Sequence, residues 1–164
     1  MLLIHSKGAI MAEIRVGVVD VYLISPQPDD WRLLVLRRAS GTRCTGAWEG
    51  VHGRIEGAES PERAALRETS EETGLVVSRL YNVCCQSFYL HAAGVVQVAV
   101  VFAAFVDAPM EPTLGPEHDA FEWLPFERGL ERVIWPRSRH ALRDIRTLLG
   151  SGDAGPAEDV MRVR

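Results

Sequence analysis

The segment S-P-E-R-A-A-L-R-E-T-S-E-E-T-G-L, residues 60–75, leaves its backbone little choice. Ser60 suits an N-cap, Pro61 the first helical position and Glu62 the positive end of a helix dipole. Gly74 suits a left-handed C-cap, followed by the apolar Leu75. These signals predict a helix over 61–73. At about 100° per residue, Arg67, Glu68, Glu71 and Glu72 fall within an arc of about 140°, while Ala65, Leu66, Thr69 and Thr73 take the opposite side. Like charges three and four residues apart on a helix each cost about 0.2–0.5 kcal/mol. Either water solvates the glutamates or a cation offsets the repulsion. Oxygen-rich clusters suit hard divalent ions, and magnesium shares its shell between a few carboxylates, water and substrate phosphates.

The rest of the chain reads as strands around this helix. Residues 14–24 and 31–38 are rich in β-branched and aromatic residues and are separated by the turn-forming S-P-Q-P-D-D. A-W-E-G-V-H-G-R-I predicts a short strand entering the loop before the helix. Two apolar runs, 76–92 and 95–107, predict a long hairpin turning near Gly94, and H-D-A-F-E-W-L-P-F predicts a last strand. From Pro136 onward, Leu142, Ile145 and Leu149 share one helical face, and Arg139, Arg143 and Arg146 form a basic face expected to be solvated. The expected fold is α+β, an α/β/α sandwich, with one domain over 13–150, an N-terminal tail over 1–12 and a flexible C-terminal tail over 151–164. Met11, just ahead of the first strand, is a second candidate start beside Met1.

At 164 residues the chain can bury a core without disulfides. No apolar stretch is long enough to span a membrane, and residues 1–12 carry no export signal. Three cysteines, Cys44, Cys84 and Cys85, are an odd number without C-x-x-C spacing, as expected of packed or loop thiols in a reducing cytoplasm. A formal net charge of −4 argues against a nucleic-acid polymer as partner, though not against a nucleotide chelated to metal.

From Gly53 the chain reads G-x5-E-x7-R-E-T-x-E-E-x-G-L, which resembles the Nudix box. Seven fixed positions match, Gly53, Glu59, Arg67, Glu68, Glu71, Glu72 and Gly74, and chance would produce such a match on the order of once in a million chains of this length. The departure is Thr69, where the family prefers an aliphatic residue; Leu75 fits. The resemblance implies a Nudix-type sandwich with a mixed central sheet, the box helix and a C-terminal helix. It implies Mg²⁺, or Mn²⁺ in its place, held chiefly by Glu68 and Glu72, with Glu71 and the Gly53 carbonyl as further ligands. Arg67 would orient the glutamates, and Glu59 would hold the loop against the helix.

The implied reaction is hydrolysis of a nucleoside-diphosphate-linked small molecule by in-line attack of water on phosphorus, with Glu68, Glu71 or the loop acid Glu117 as candidate base. Glu117 is also a candidate metal ligand, and His118 beside it a candidate substrate contact. The surroundings of the box, together with G-P-E-H-D-A-F-E-W-L-P and W-P-R-S-R-H-A-L, are similar to the branch containing dihydroneopterin triphosphate and dATP pyrophosphohydrolases. That branch would release pyrophosphate and leave a monophosphate. Arg37 or Arg38 would bind phosphates, and Trp48 or Phe88 would stack on a base, against the plainer reading of edge-strand arginines and core aromatics. A catalytically silent nucleotide-binding module and a diphosphate isomerase that uses a cysteine are the alternatives on the same fold. A homodimer is compatible with any of them.

Overall fold

The computed structural model describes residues 12–164, so all of the expected N-terminal tail except Ala12, and both candidate starts, lie outside the described residues. The sheet is built around β1 (Glu13–Pro26), which is buried without interruption from Val18 to Ser25. Unbroken burial rather than alternation arises because helices cover both faces of the sheet. β1 runs parallel to β6 (Val95–Phe105), with Val21 beside Phe102, and β6 pairs antiparallel with β5 (Arg79–Leu90) across a tight turn at Gly94. On its other side β1 pairs antiparallel first with β4 (Val51–Arg54) and then with β2 (Trp31–Arg38). β2 carries β3 (Trp48–Glu49) and β7 (His118–Pro125), so the mixed sheet has seven strands.

Strand parity assigns each residue to one of two cores. Val19, Val21, Leu34, Leu36 and Phe102 pack with Ala64 and Ala65 of α1 (Pro61–Thr73). Tyr22, Ile24, Leu33 and Val35 pack on the opposite face with α2 (Phe126–Arg132) and with Leu142, Ile145 and Leu149 of α3 (Pro136–Leu149). The expected sandwich with a mixed sheet is thus observed. Gly74 ends α1 with φ +65° and donates its N–H to the Ser70 carbonyl, as a left-handed cap requires.

Three local expectations are corrected. Phe126 does not end the last strand: Pro125 stops the ladder, and Phe126 opens α2 and is buried. Arg146 is only partly solvated; its guanidinium lies 4.7 Å from the Trp31 ring centre and pairs with Asp30 at 2.8 Å, because its long stem covers aromatic surface. Residues 151–164 are docked rather than loose. A single turn of 3-10 helix (Gly155–Ala157) leads into α4 (Glu158–Met161), Glu158 accepts from the Tyr81 hydroxyl at 3.0 Å, and Val163 donates to the Leu80 carbonyl, which covers the outer edge of β5 at its start.

Thr69 is buried against the sheet, 1% exposed, and its hydroxyl has no hydrogen-bond partner. A buried unpaired hydroxyl costs about 1–3 kcal/mol. Thr69→Val is therefore expected to raise the unfolding free energy by about 1 kcal/mol, measured by urea denaturation; an unchanged or lower midpoint would mean that the hydroxyl is satisfied.

Candidate active site

The site begins where β4 meets α1. Gly53 pairs with Val19 in the sheet and lies so close to Glu68 that a Cβ at this position would overlap the carboxylate. Only glycine permits this approach. Glu68 Oε1 accepts from the Arg54 backbone N–H at 3.0 Å and from Arg67 Nη1 at 2.9 Å. Arg67 also donates to Glu59 at 2.7 Å, to Glu71 at 3.0 Å and to the Arg54 carbonyl at 2.8 Å. One guanidinium thus compensates three carboxylates and ties the loop to the helix, and these hydrogen bonds, that of Glu59 foremost, push its own pKa up.

Glu72 faces inward. It is 6% exposed, and its Oε2 has no hydrogen-bond partner. Burial first, and then the charges of Glu68, Glu117 and Glu49, push its carboxyl up to about 9, against the opposing charge of Arg38. The nearest basic group is His118 Nδ1 at 3.6 Å, too far for a hydrogen bond. His118 is itself buried with neither ring nitrogen partnered, and burial followed by the Arg38 charge lowers its pKa to about 4. The loop carrying it is stitched to the last turn of α1: Thr113 donates to the Thr73 carbonyl at 2.8 Å and Gly115 to the Glu72 carbonyl at 3.1 Å. Glu117 is drawn in by Arg38 at 2.6 Å, and Arg38 also lies 3.6 Å from Glu49.

Parity separates the expected substrate contacts. Arg38 lies on the α1 side among the carboxylates, whereas Arg37 points to the other face, pairs with Asp119 at 2.7 Å and lies 5.9 Å from the Trp48 ring centre. Trp48 is stacked under Arg132 at 4.4 Å, away from the glutamates. Phe88 sits on the α3 side beneath the Arg137 guanidinium at 4.6 Å and 6.5 Å from His52.

Arg137 belongs to a cavity of about 10 Å³, room for a single water, that the residue patterns did not bring out, lined by Asp20, Tyr22, Glu49, His52, Trp135 and Arg137. Asp20 is 4% exposed, accepts from His52 Nδ1 at 2.5 Å and is ion-paired with Arg137. Burial opposes its charge, but the His52 hydrogen bond and the charges of His52 and Arg137 outweigh burial and hold the carboxyl below its ordinary value. The available signal was Asp20 itself, an acid in the middle of an apolar strand.

The donors that α1 itself supplies are carboxylate oxygens, and an orphaned buried one stands among them, a set that fits a hard divalent ion. Among the described residues no three acid, histidine or cysteine side chains converge on a common point, since Arg67 draws Glu68 and Glu71 toward itself. No helix among the described residues is long and apolar enough to cross a membrane.

A family model described as "NUDIX domain" matches residues 15–145. An octanoyltransferase of Myxococcus xanthus is 34% identical over 76% of this chain, a match that spans only 35% of that protein. A MutT-like protein of Streptomyces ambofaciens is 33% identical, covering 76% of this chain and 73% of that one. In structure, the chain resembles the Escherichia coli dihydroneopterin triphosphate pyrophosphohydrolase with a TM-score of 0.64, covering 77% of this chain and 91% of that one at 22% identity.

The Glu72 shift has a consequence for the metal-free protein. An unfolded glutamate releases its proton near 4.5 and folded Glu72 near 9, so unfolding between these values releases a proton and stability falls as pH rises. In chelator, the wild type is expected to lose stability relative to Glu72→Gln at each step from pH 6 to 9, followed by denaturant unfolding. Parallel curves for the two proteins would place the Glu72 carboxyl in water.

Proposed function

The chain belongs to the NUDIX family of hydrolases, and from that premise we propose that it is a Mg²⁺-dependent pyrophosphohydrolase cleaving a nucleoside triphosphate, or a pterin analogue of one, to the monophosphate and pyrophosphate. The observation that carries the metal dependence is the buried Glu72 carboxyl, which has no hydrogen-bond partner and sits one helical turn from Glu68. Glu68 and Glu72 would hold the ion, with the Gly53 carbonyl, Glu71 and Glu117 as further donors. Bound there, Mg²⁺ or Mn²⁺ neutralises diphosphate oxygens and makes water a stronger nucleophile at neutral pH.

The protein's own groups set the geometry. Arg67 holds Glu68 and Glu71 on one side of its guanidinium and orients them, and Glu59 keeps Arg67 in place. Glu68 already accepts two hydrogen bonds through Oε1, which suits a ligand more than a base. Glu71 and Glu117 are each more than half exposed and each hold one arginine contact, which leaves them lone pairs with which to take a proton from the attacking water. Arg38, between Glu49 and Glu117, offers a positive charge on the box side of the sheet for a substrate phosphate. Attack on phosphorus breaks the bridging P–O bond; the proton passes to the carboxylate, and pyrophosphate leaves.

The test is pyrophosphate release with Mg²⁺ from a panel of nucleoside triphosphates, dihydroneopterin triphosphate, dinucleoside polyphosphates, ADP-ribose and nucleotide sugars. The expected result is release from a triphosphate, with turnover lowered at least about 100-fold in Glu72→Gln and at least about 10-fold in Glu117→Gln, both remaining folded. Near-normal turnover of Glu72→Gln would remove the metal assignment, and cleavage of ADP-ribose alone would remove the triphosphate.

A further inference from the structure

We propose that His118 is a positioning residue for the box: its Nδ1–H holds Oε2, the inner oxygen of Glu72, so that the carboxylate presents its other oxygen to a divalent cation. The inference rests on the hydrolase reading above and extends it from the residues that would touch the ion to one that acts through them.

Two buried polar groups face each other here without bonding. Glu72 Oε2 and both ring nitrogens of His118 are buried and unpartnered, and Nδ1 stands 3.6 Å from Oε2. Folded proteins leave few such groups unpaired, because each is costly. These two have opposite capacities, one donor and one acceptor, and they satisfy each other once the gap closes by a few tenths of an ångström. The His118 side chain is 1% exposed, so the ring acts on Glu72 rather than on substrate. Burial disfavours charge on the ring, which leaves it one N–H and one bare nitrogen. A carboxylate beside Nδ1 selects the tautomer with the proton on that nitrogen.

The ring is a fixed point. His118 lies opposite Arg38 in the sheet, and the Glu117 carbonyl accepts from the Ala39 N–H at 2.8 Å. The loop before it donates from Thr113 and Gly115 to the carbonyls of Thr73 and Glu72. Gly115 comes so near to α1 that a Cβ there would lie 2.9 Å from the Glu71 carbonyl oxygen. The imidazole and the carboxylate are thus carried by elements bonded directly to one another. Arg67 orients Glu68 and Glu71, and no group among the described residues bonds Glu72 Oε2 in the same way. A ligand carboxylate whose second oxygen is held has less freedom to lose when an ion arrives.

The test measures Mn²⁺ affinity by titration calorimetry, without substrate, in the wild type, Glu72→Gln, His118→Leu and His118→Asn. Leucine removes the donor, whereas asparagine places an amide N–H near the position of Nδ1. His118→Leu should weaken binding at least about 10-fold, and His118→Asn should stay within about 3-fold of the wild type. In the Mg²⁺-loaded wild type, long-range ¹H–¹⁵N NMR spectra should show His118 as the Nδ1–H tautomer, a measurement that decides the matter even where the leucine variant does not fold. Unchanged affinity in His118→Leu, an equal loss in His118→Asn, or the Nε2–H tautomer would overturn the proposal. Affinity that depends on Glu72 but not on His118 rejects this inference alone. Affinity indifferent to Glu72→Gln rejects the metal reading, and this inference with it.

Discussion

The structure of the site depends on the Arg67 guanidinium. Glu59, Glu68 and Glu71 would repel one another across a loop and two turns of helix; with Arg67 among them they form a network that also captures the Arg54 carbonyl. The consequence reaches into the sheet. Glu68, once held, fills the space where a Gly53 side chain would stand, so β4 and α1 come together only because one residue has no Cβ and the other has a partner that fixes its direction. Glu72 is the one box acid left outside this compensation, isolated in a nearly dry position, and under the proposed function it is the group that would draw a cation to the end of α1.

Placement on the sheet divides labour between the two faces. In β2, alternation sends Leu34, Leu36 and Arg38 to the box side and Leu33, Val35 and Arg37 to the other. The same alternation in β4 separates Gly53 from His52. A single strand therefore supplies the close approach needed by the carboxylates on one face and the wall of a small cavity on the other. Glu49, at the end of β3, is in contact with both.

The helix and its caps were legible because short-range rules govern them: Ser60, Pro61 and Gly74 act on their own neighbours, and the observed bounds of α1 are those the caps predict. The family was legible because its signature lies within 23 consecutive residues. What could not be read depends on contacts distant in sequence. Arg37 and Arg38 are adjacent and chemically identical, and only strand register decides which joins the carboxylates. Phe88 and Trp48 were equal candidates for stacking until the hairpin carried Phe88 to Arg137 and α2 brought Arg132 onto Trp48. Arg146 looked solvated because its aromatic partners lie more than 100 residues away for Trp31 and on another helix for Phe126. The C-terminal residues looked loose from a composition rich in glycine and polar groups, yet Glu158 and Val163 find partners on β5. Thr69 stands where the family prefers an aliphatic residue, and the structure leaves its buried hydroxyl without a partner.

The central claim is that Glu68, held by Arg67 against Gly53, and Glu72, one helical turn on, form a divalent-cation site. Anomalous scattering from a crystal of the protein grown with Mn²⁺ addresses it without reference to any substrate or rate. The account predicts an anomalous peak in direct contact with the carboxylates of both Glu68 and Glu72, with Glu72 turned out of its buried position to meet the ion. A map with full Mn²⁺ occupancy elsewhere, or with density at Glu68 and Glu71 while Glu72 remains buried, would contradict it.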